Sequence, residues 1–325
     1  MRVLYRAVTL LLMPALTLTG CGDGEEARLA QPRMEHPHLA LQRETEAATA
    51  AIAADEASHV RRCREEHDGR ACYFLGVHDE RRGQLAQSFA YHKSGCELGF
   101  AAACARAGDI AFYNRLARPV TFQDQIYSMT KKGRRQSAER EAEARRSADE
   151  GLALLRRGCD ELSEPSGQAC EVLGDVYGTD QYADPDQRLA YYARACTQLQ
   201  SGTACHKQGN VLFGRLDQAA DRAQAEQDIL AAFQQGCDLH NNASCLSLGG
   251  FFMNYATKFK IPRDERRGRI AWRQGCNQDD AQSCLMLGRH YRDVLQDYTQ
   301  SRTFFRRACE LKLEHACRMH DDLSR

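Results

Sequence analysis

The stretch Cys237-Asp238-Leu239-His240-Asn241-Asn242-Ala243-Ser244-Cys245-Leu246-Ser247-Leu248-Gly249 is the cleanest copy of a unit repeated along the whole chain. Two cysteines stand close together, and a Leu-Gly pair follows the second. Fourteen of the fifteen cysteines fall into such couples: Cys63 with Cys72, Cys96 with Cys104, Cys159 with Cys170, Cys196 with Cys205, Cys237 with Cys245, Cys276 with Cys284, and Cys309 with Cys317. Their first members recur at intervals of 33, 63, 37, 41, 39 and 33 residues, a solenoid period with one insertion. A glycine follows the second cysteine by four places in all six full units, at Gly76, Gly108, Gly174, Gly209, Gly249 and Gly288. Leucine usually precedes it, as in Leu75, Leu173, Leu248 and Leu287, whereas Ala107 and Gln208 depart.

A large side chain stands four places before the first cysteine, at Leu155, Tyr192, Phe233, Trp272 and Phe305, with His92 the exception. Alanine is frequent six places before it, at Ala90, Ala153, Ala190 and Ala231. Each unit therefore reads as two helices, the first opening at the second cysteine and the second closing at the next unit's first cysteine. Glycine inside a helix costs about 0.5 to 1 kcal/mol relative to alanine, so close approach of a neighbouring helix must compensate. The expectation is that the alanine and the large side chain interlock around the glycine.

This unit resembles the Sel1-like repeat, and the cysteine placement is similar to the Helicobacter cysteine-rich protein family, over about residues 45 to 325. The resemblance implies an all-α, α/α superhelical solenoid related to tetratricopeptide arrays, with one disulfide per repeat. Each bridge is then expected to join the end of one unit to the start of the next, removing roughly 2 to 3 kcal/mol of denatured-state entropy. Zinc binding is the competing reading of so many cysteines, but metal sites favour shorter spacings and no Cys-x-x-Cys occurs. No metal and no cofactor are expected.

The unpaired cysteine is Cys21. Residues 1–20 read as a secretory signal, with Arg2 and Arg6 ahead of an apolar core from Ala7 to Leu18. The ending Leu18-Thr19-Gly20-Cys21 resembles the bacterial lipobox, which makes Cys21 the expected lipidation site. Residues 21–38 read as a flexible tether and residues 39–325 as the solenoid. The expected location is the cell envelope, lipid-anchored to the outer membrane and facing periplasm or surface. Within the solenoid, Leu39 to Arg64 reads as a charged capping helix. An insertion is expected at about residues 114–147, containing a loop and an extended second helix from Arg134 to Arg157. The last half-unit carries His320, Asp321 and Asp322 where Leu-Gly would lie, as suits a polar cap.

Forty-four basic side chains balance forty-four acidic ones, so no overall field draws the chain to nucleic acid. The resembled family has been described as penicillin-binding or weakly β-lactamase-like, and Ser128-Met129-Thr130-Lys131 matches Ser-x-x-Lys. It stands alone, without Ser-Asp-Asn or Lys-Thr-Gly, so a hydrolase is the alternative reading and catalysis is not expected. Cys205-His206 would suit haem only if Cys205 were unbridged. Helical-hairpin arrays recognise partners on a concave face without reactive groups. Carrying over the inner-helix positions of related repeats nominates Tyr73, Val77, Asp109, Phe112, Tyr113, Glu171, Asp175, His206, Asn210, Phe213, Leu246, Met253, Asn254, Arg289 and Arg292 as the groove for a protein or peptide ligand.

Overall fold

The computed structural model describes residues 37–113, 130–255 and 260–324. Among them are fifteen α-helices and no strand. An N-terminal pair comprises α1 (Pro37–Ala54) and α2 (Glu56–Arg64). Six hairpins follow: α3 (Gly69–Arg81) with α4 (Leu85–Glu97), α5 (Ala101–Phe112) with α6 (Lys131–Arg156), and α7 (Gly167–Val176) with α8 (Pro185–Thr197). The remaining three are α9 (Gly202–Arg215) with α10 (Arg222–Asp238), α11 (Asn242–Phe252) with α12 (Glu265–Asn277), and α13 (Ala281–Asp293) with α14 (Tyr298–Glu310). A last helix, α15 (Glu314–Asp322), stacks on α14. First helices of successive hairpins lie side by side, and second helices cover them in another layer.

The cysteine couples sit at the turns between hairpins, and all seven bridges are formed, with Cα atoms 4.5 to 4.9 Å apart. The local chemistry of these turns explains their uniformity. A residue with positive φ ends the outgoing helix five places before the second cysteine, at His67, Gly99, Gln200, His240, Asp279 and Lys312. The next residue sends its N–H back to the carbonyl just before the first cysteine: Phe100 to Gly95 (2.9 Å), Asn241 to Gly236 (2.9 Å) and Asp280 to Gly275 (3.0 Å). That is a Schellman-type closure of the outgoing helix. In most turns the same residue also caps the incoming helix through its side chain, as Asp68, Ser166, Ser201, Asn241 and Asp280 do. The turn between Cys159 and Cys170 is longer. There a π-helical turn, Arg157–Glu161, absorbs the extra length, and Ser166 still reaches the Gly158 carbonyl at 2.8 Å.

Within each hairpin the glycine accommodates the large residue of its partner helix. A Cβ built on Gly76, Gly108, Gly174, Gly209, Gly249 or Gly288 would come within 3.0 Å of His92, Leu155, Tyr192, Phe233, Trp272 or Phe305 respectively. His92 thus occupies the aromatic position and is fully buried. The alanines are a correction: Ala90, Ala153, Ala190 and Ala231 are all exposed and touch no glycine. Residues two apart on a helix point some 200° apart, so positions four and six before the cysteine cannot share a face. The small residue that does share it stands eight places before, as Ser88, Gly151, Gly268 and Ser301 do, all buried.

The N-terminal segment also departs from expectation. Asp55 breaks Leu39–Arg64 into two helices and caps the second by accepting from Ser58 N–H at 3.1 Å. Helix α1 packs more extensively on α3 than on α2. The Arg81 guanidinium donates to Thr49 Oγ1 at 2.8 Å, and Arg70 pairs with Glu44 at 3.1 Å. At α6 the second helix is twice the usual length, 26 residues against 13 in α4, α8, α12 and α14. Only its C-terminal half is buried, through Ala148, Leu152 and Leu155, so residues from Lys132 to Glu143 project into solvent where described.

Candidate functional site

The first-helix layer places its nominated residues in three settings. On α7, Glu171 and Asp175 lie one turn apart, and Lys207 of α9 reaches both, at 2.8 and 2.6 Å. The Tyr192 hydroxyl donates to Asp175 at 2.6 Å and Ser201 donates to Glu171 at 3.1 Å. Burial pulls the Lys207 ammonium down, but the two carboxylates more than reverse this, so its pKa is raised. Burial and the Asp175 hydrogen bond push Tyr192 up to about 12. The cluster couples two neighbouring units and holds fixed charge at the surface. Asn210 lies exposed one turn beyond Lys207.

A second group is committed to packing. His206 lies half-buried against the Phe233 ring at 5.4 Å, with Nδ1 enclosed and without a hydrogen-bond partner, and burial lowers its pKa. Phe213 packs on Phe251 at 5.4 Å. The Leu246 side chain joins the C-terminal core while its carbonyl accepts from Trp272 Nε1 at 3.1 Å. Met253 is a correction to the groove: it is 2 % exposed and fills the space beside Gly268. Tyr73 and Val77 are likewise buried, so neither projects from the face.

The third group is at the surface. Arg289 approaches His315 Nε2 at 3.1 Å, and Arg292 forks onto Asp293 at 2.6 and 3.1 Å with its guanidinium 5.6 Å from the Phe305 ring. Asn254 is exposed at the end of α11. Asp109 is half-buried on α5. Tyr113 is exposed and set edge-on to Phe112 at 5.1 Å, and Phe112 packs on Tyr182 at 5.5 Å.

Tyr73 and Val77 acquire a different meaning from α1. Because α1 leans onto α3, a cleft of about 490 Å³ opens between α1, α3, α5 and the start of α7. Its walls carry Tyr73 and Val77 together with Gln42, Glu80, Arg106 and Gln168. Arg106 approaches Glu80 at 3.6 Å, beyond hydrogen-bonding range, and its Nε is enclosed without a partner. Beneath Tyr73, the His92 ring centroid lies 5.5 Å from the Tyr73 ring, and Nε2 lies 3.8 Å from Glu80. Neither His92 ring nitrogen has a hydrogen-bond partner. Burial lowers the His92 pKa against the opposing pull of Glu80, so the ring is neutral at pH 7. Sequence reading missed Glu80, Arg106 and the α1 wall, because nothing in the repeat pattern marks where a terminal helix leans.

Cys205 is bonded to Cys196, which leaves no thiolate beside His206 for haem. Cys21 and Ser128 lie outside the described residues. No helix among the described residues is long and apolar enough to cross a membrane.

No family model matches the sequence, and no curated protein does either. Solved structures do. The crystal structure of a Sel1 repeat protein from Oxalobacter formigenes is similar over 74 % of this chain and 85 % of that one, at 16 % identity and a TM-score of 0.50. That of c5321, a protective antigen present in uropathogenic Escherichia coli strains and displaying an SLR fold, is similar over 80 % of this chain and 57 % of that one, at 16 % identity and a TM-score of 0.42.

Proposed function

From a chain folded as a solenoid of Sel1-like repeats, we propose an interaction scaffold that binds a protein or peptide on its first-helix face, the concave side in arrays of this kind. The observation that carries this reading is the cleft at the N-terminal end of that face. It offers apolar wall (Tyr73, Val77), amides (Gln42, Gln168) and charges of both signs (Glu80, Arg106) within one enclosure. Such a mixture suits a peptide, which presents backbone amides and side chains together. The Glu171–Lys207–Asp175 cluster and Asn210 continue the polar surface two units further along. The disulfides support rigidity, and rigidity lowers the ordering cost of binding.

A lipobox-like Leu18-Thr19-Gly20-Cys21 and seven disulfides suit a lipid-anchored protein of an oxidising cell envelope. Outer-membrane attachment is the proposed location.

Cross-linking the full chain to envelope proteins, in parallel with Arg106→Ala and Asn210→Arg variants, tests the binding face. Loss of at least one wild-type partner in both variants is expected. Identical recovery from all three proteins overturns the assignment. Intact-mass measurement tests the anchor: diacylglyceryl mass on Cys21, absent in Cys21→Ser, is the expected result.

A further inference from the structure

The exposed alanines of the repeat and the one polar substitution at its leucine position meet on the opposite layer. Second helices α8 and α10 flank a groove of about 530 Å³ whose floor is α9. Ala190, Ala193 and Ala231 line its sides, and Leu212 and Gln208 its floor. Gln208 stands where Leu75, Leu173, Leu248 and Leu287 are buried in other units. Its Oε1 is enclosed and has no hydrogen-bond partner. An acceptor held in that state is costly unless something donates to it.

The groove's charged residues are both acidic. Asp186 and Asp228 line it, and no lysine or arginine does among the described residues. Asp186 also pairs with Arg215 at 2.8 Å, and Asp228 accepts from the neutral Gln224 amide at 2.8 Å; neither Arg215 nor Gln224 lines the groove. The surrounding segment is acidic as a whole: residues 158–240 hold thirteen acidic and five basic side chains, in a chain whose totals are equal.

We propose that the α8–α10 groove is a docking site for a cationic amphipathic helix of a partner protein. Small apolar residues of that helix lie on the alanine walls, a lysine or arginine faces Asp228, and the Gln208 side chain turns outward into the groove so that its Oε1 accepts from that cation. Alanine walls let a helix approach closely, and a helix laid in an apolar groove is a recurrent mode of recognition. The acidic field selects the sign of the partner. This surface lies on the second-helix layer and is separate from the concave face.

The test uses the full chain and a labelled, end-blocked synthetic helix of alanine, leucine and lysine, about 18 residues long, with a counterpart carrying glutamate for lysine. Fluorescence anisotropy is expected to show the lysine helix binding at least about tenfold more tightly than the glutamate helix. Ala231→Arg, at an exposed position, is expected to weaken the lysine helix about tenfold by adding bulk and positive charge. Gln208→Leu restores the repeat's own residue, so it should fold with unchanged or higher Tm while losing several-fold in affinity. Asn210→Arg, on the concave layer, should bind as wild type. Absence of binding, equal binding of the two helices, or unchanged affinity in both Ala231→Arg and Gln208→Leu overturns the proposal. So does a loss confined to Asn210→Arg, which would put the helix on the concave face instead.

Discussion

At Gly249 the Trp272 indole occupies the volume an alanine methyl would need, and the helices meet there because nothing projects between them. Gly249→Ala should gain up to about 1 kcal/mol of helix propensity and lose more to overpacking against a fully buried tryptophan. A net destabilisation of about 1 to 3 kcal/mol is expected in urea unfolding. His92 is the weak member of the same series. It fills an aromatic site with two unpartnered nitrogens, and protonation would put a charge there. Its folded pKa lies below the unfolded value, so the unfolded state takes up the proton first as pH falls. Stability is therefore full above about pH 6.5 and declines below it. Glu80 and Asp79 oppose this and Arg106 reinforces it. His92→Phe, which copies Phe233 and Phe305, should raise the Tm at pH 7 and flatten its fall between pH 7 and 5. His206 and His290, also lowered by burial, account for the dependence that remains.

At the scale of the element, helix boundaries rest on short polar signals. Asp280 accepts from Ser283 N–H at 2.8 Å and from its hydroxyl, so Asp280→Ala should cost about 1 kcal/mol. Thermal unfolding measured against wild type would reveal it. The cysteines, glycines and large residues were legible in sequence because each is fixed by a near-invariant contact: a bridge, or a ring over a glycine. The alanines recur without being buried, because the helical period sets them about 200° from the large residue. The N-terminal break at Asp55 was hidden within a run of good helix formers, and the lean of α1 follows from tertiary contacts that no local pattern encodes. The groove residues suffered similarly. Tyr73 and Leu246 both directly follow a second cysteine, but Tyr73 walls a cleft while Leu246 joins the C-terminal core, and Met253, at the end of α11, plugs the gap beside Gly268.

For the whole molecule, stability should behave as a row of neighbour interactions, each turn holding two hairpins in register. Replacing Cys237 and Cys245 together by serine is expected to lower unfolding free energy by roughly 2 to 3 kcal/mol on the entropic account. Hydrogen exchange would show the loss concentrated in α10 and α11, because their turn alone is released. Full reduction with a thiol should broaden the transition, since units then uncouple from one another.

The bridges have one more consequence. Each encloses only seven to ten residues of chain, and each such loop holds the exposed bend between two helices. Bends of this kind are where an extracellular protease cuts first. A peptide bond hydrolysed inside any of the seven leaves both fragments fastened to each other across the wound, so the array survives the cut as one body until a reductant arrives.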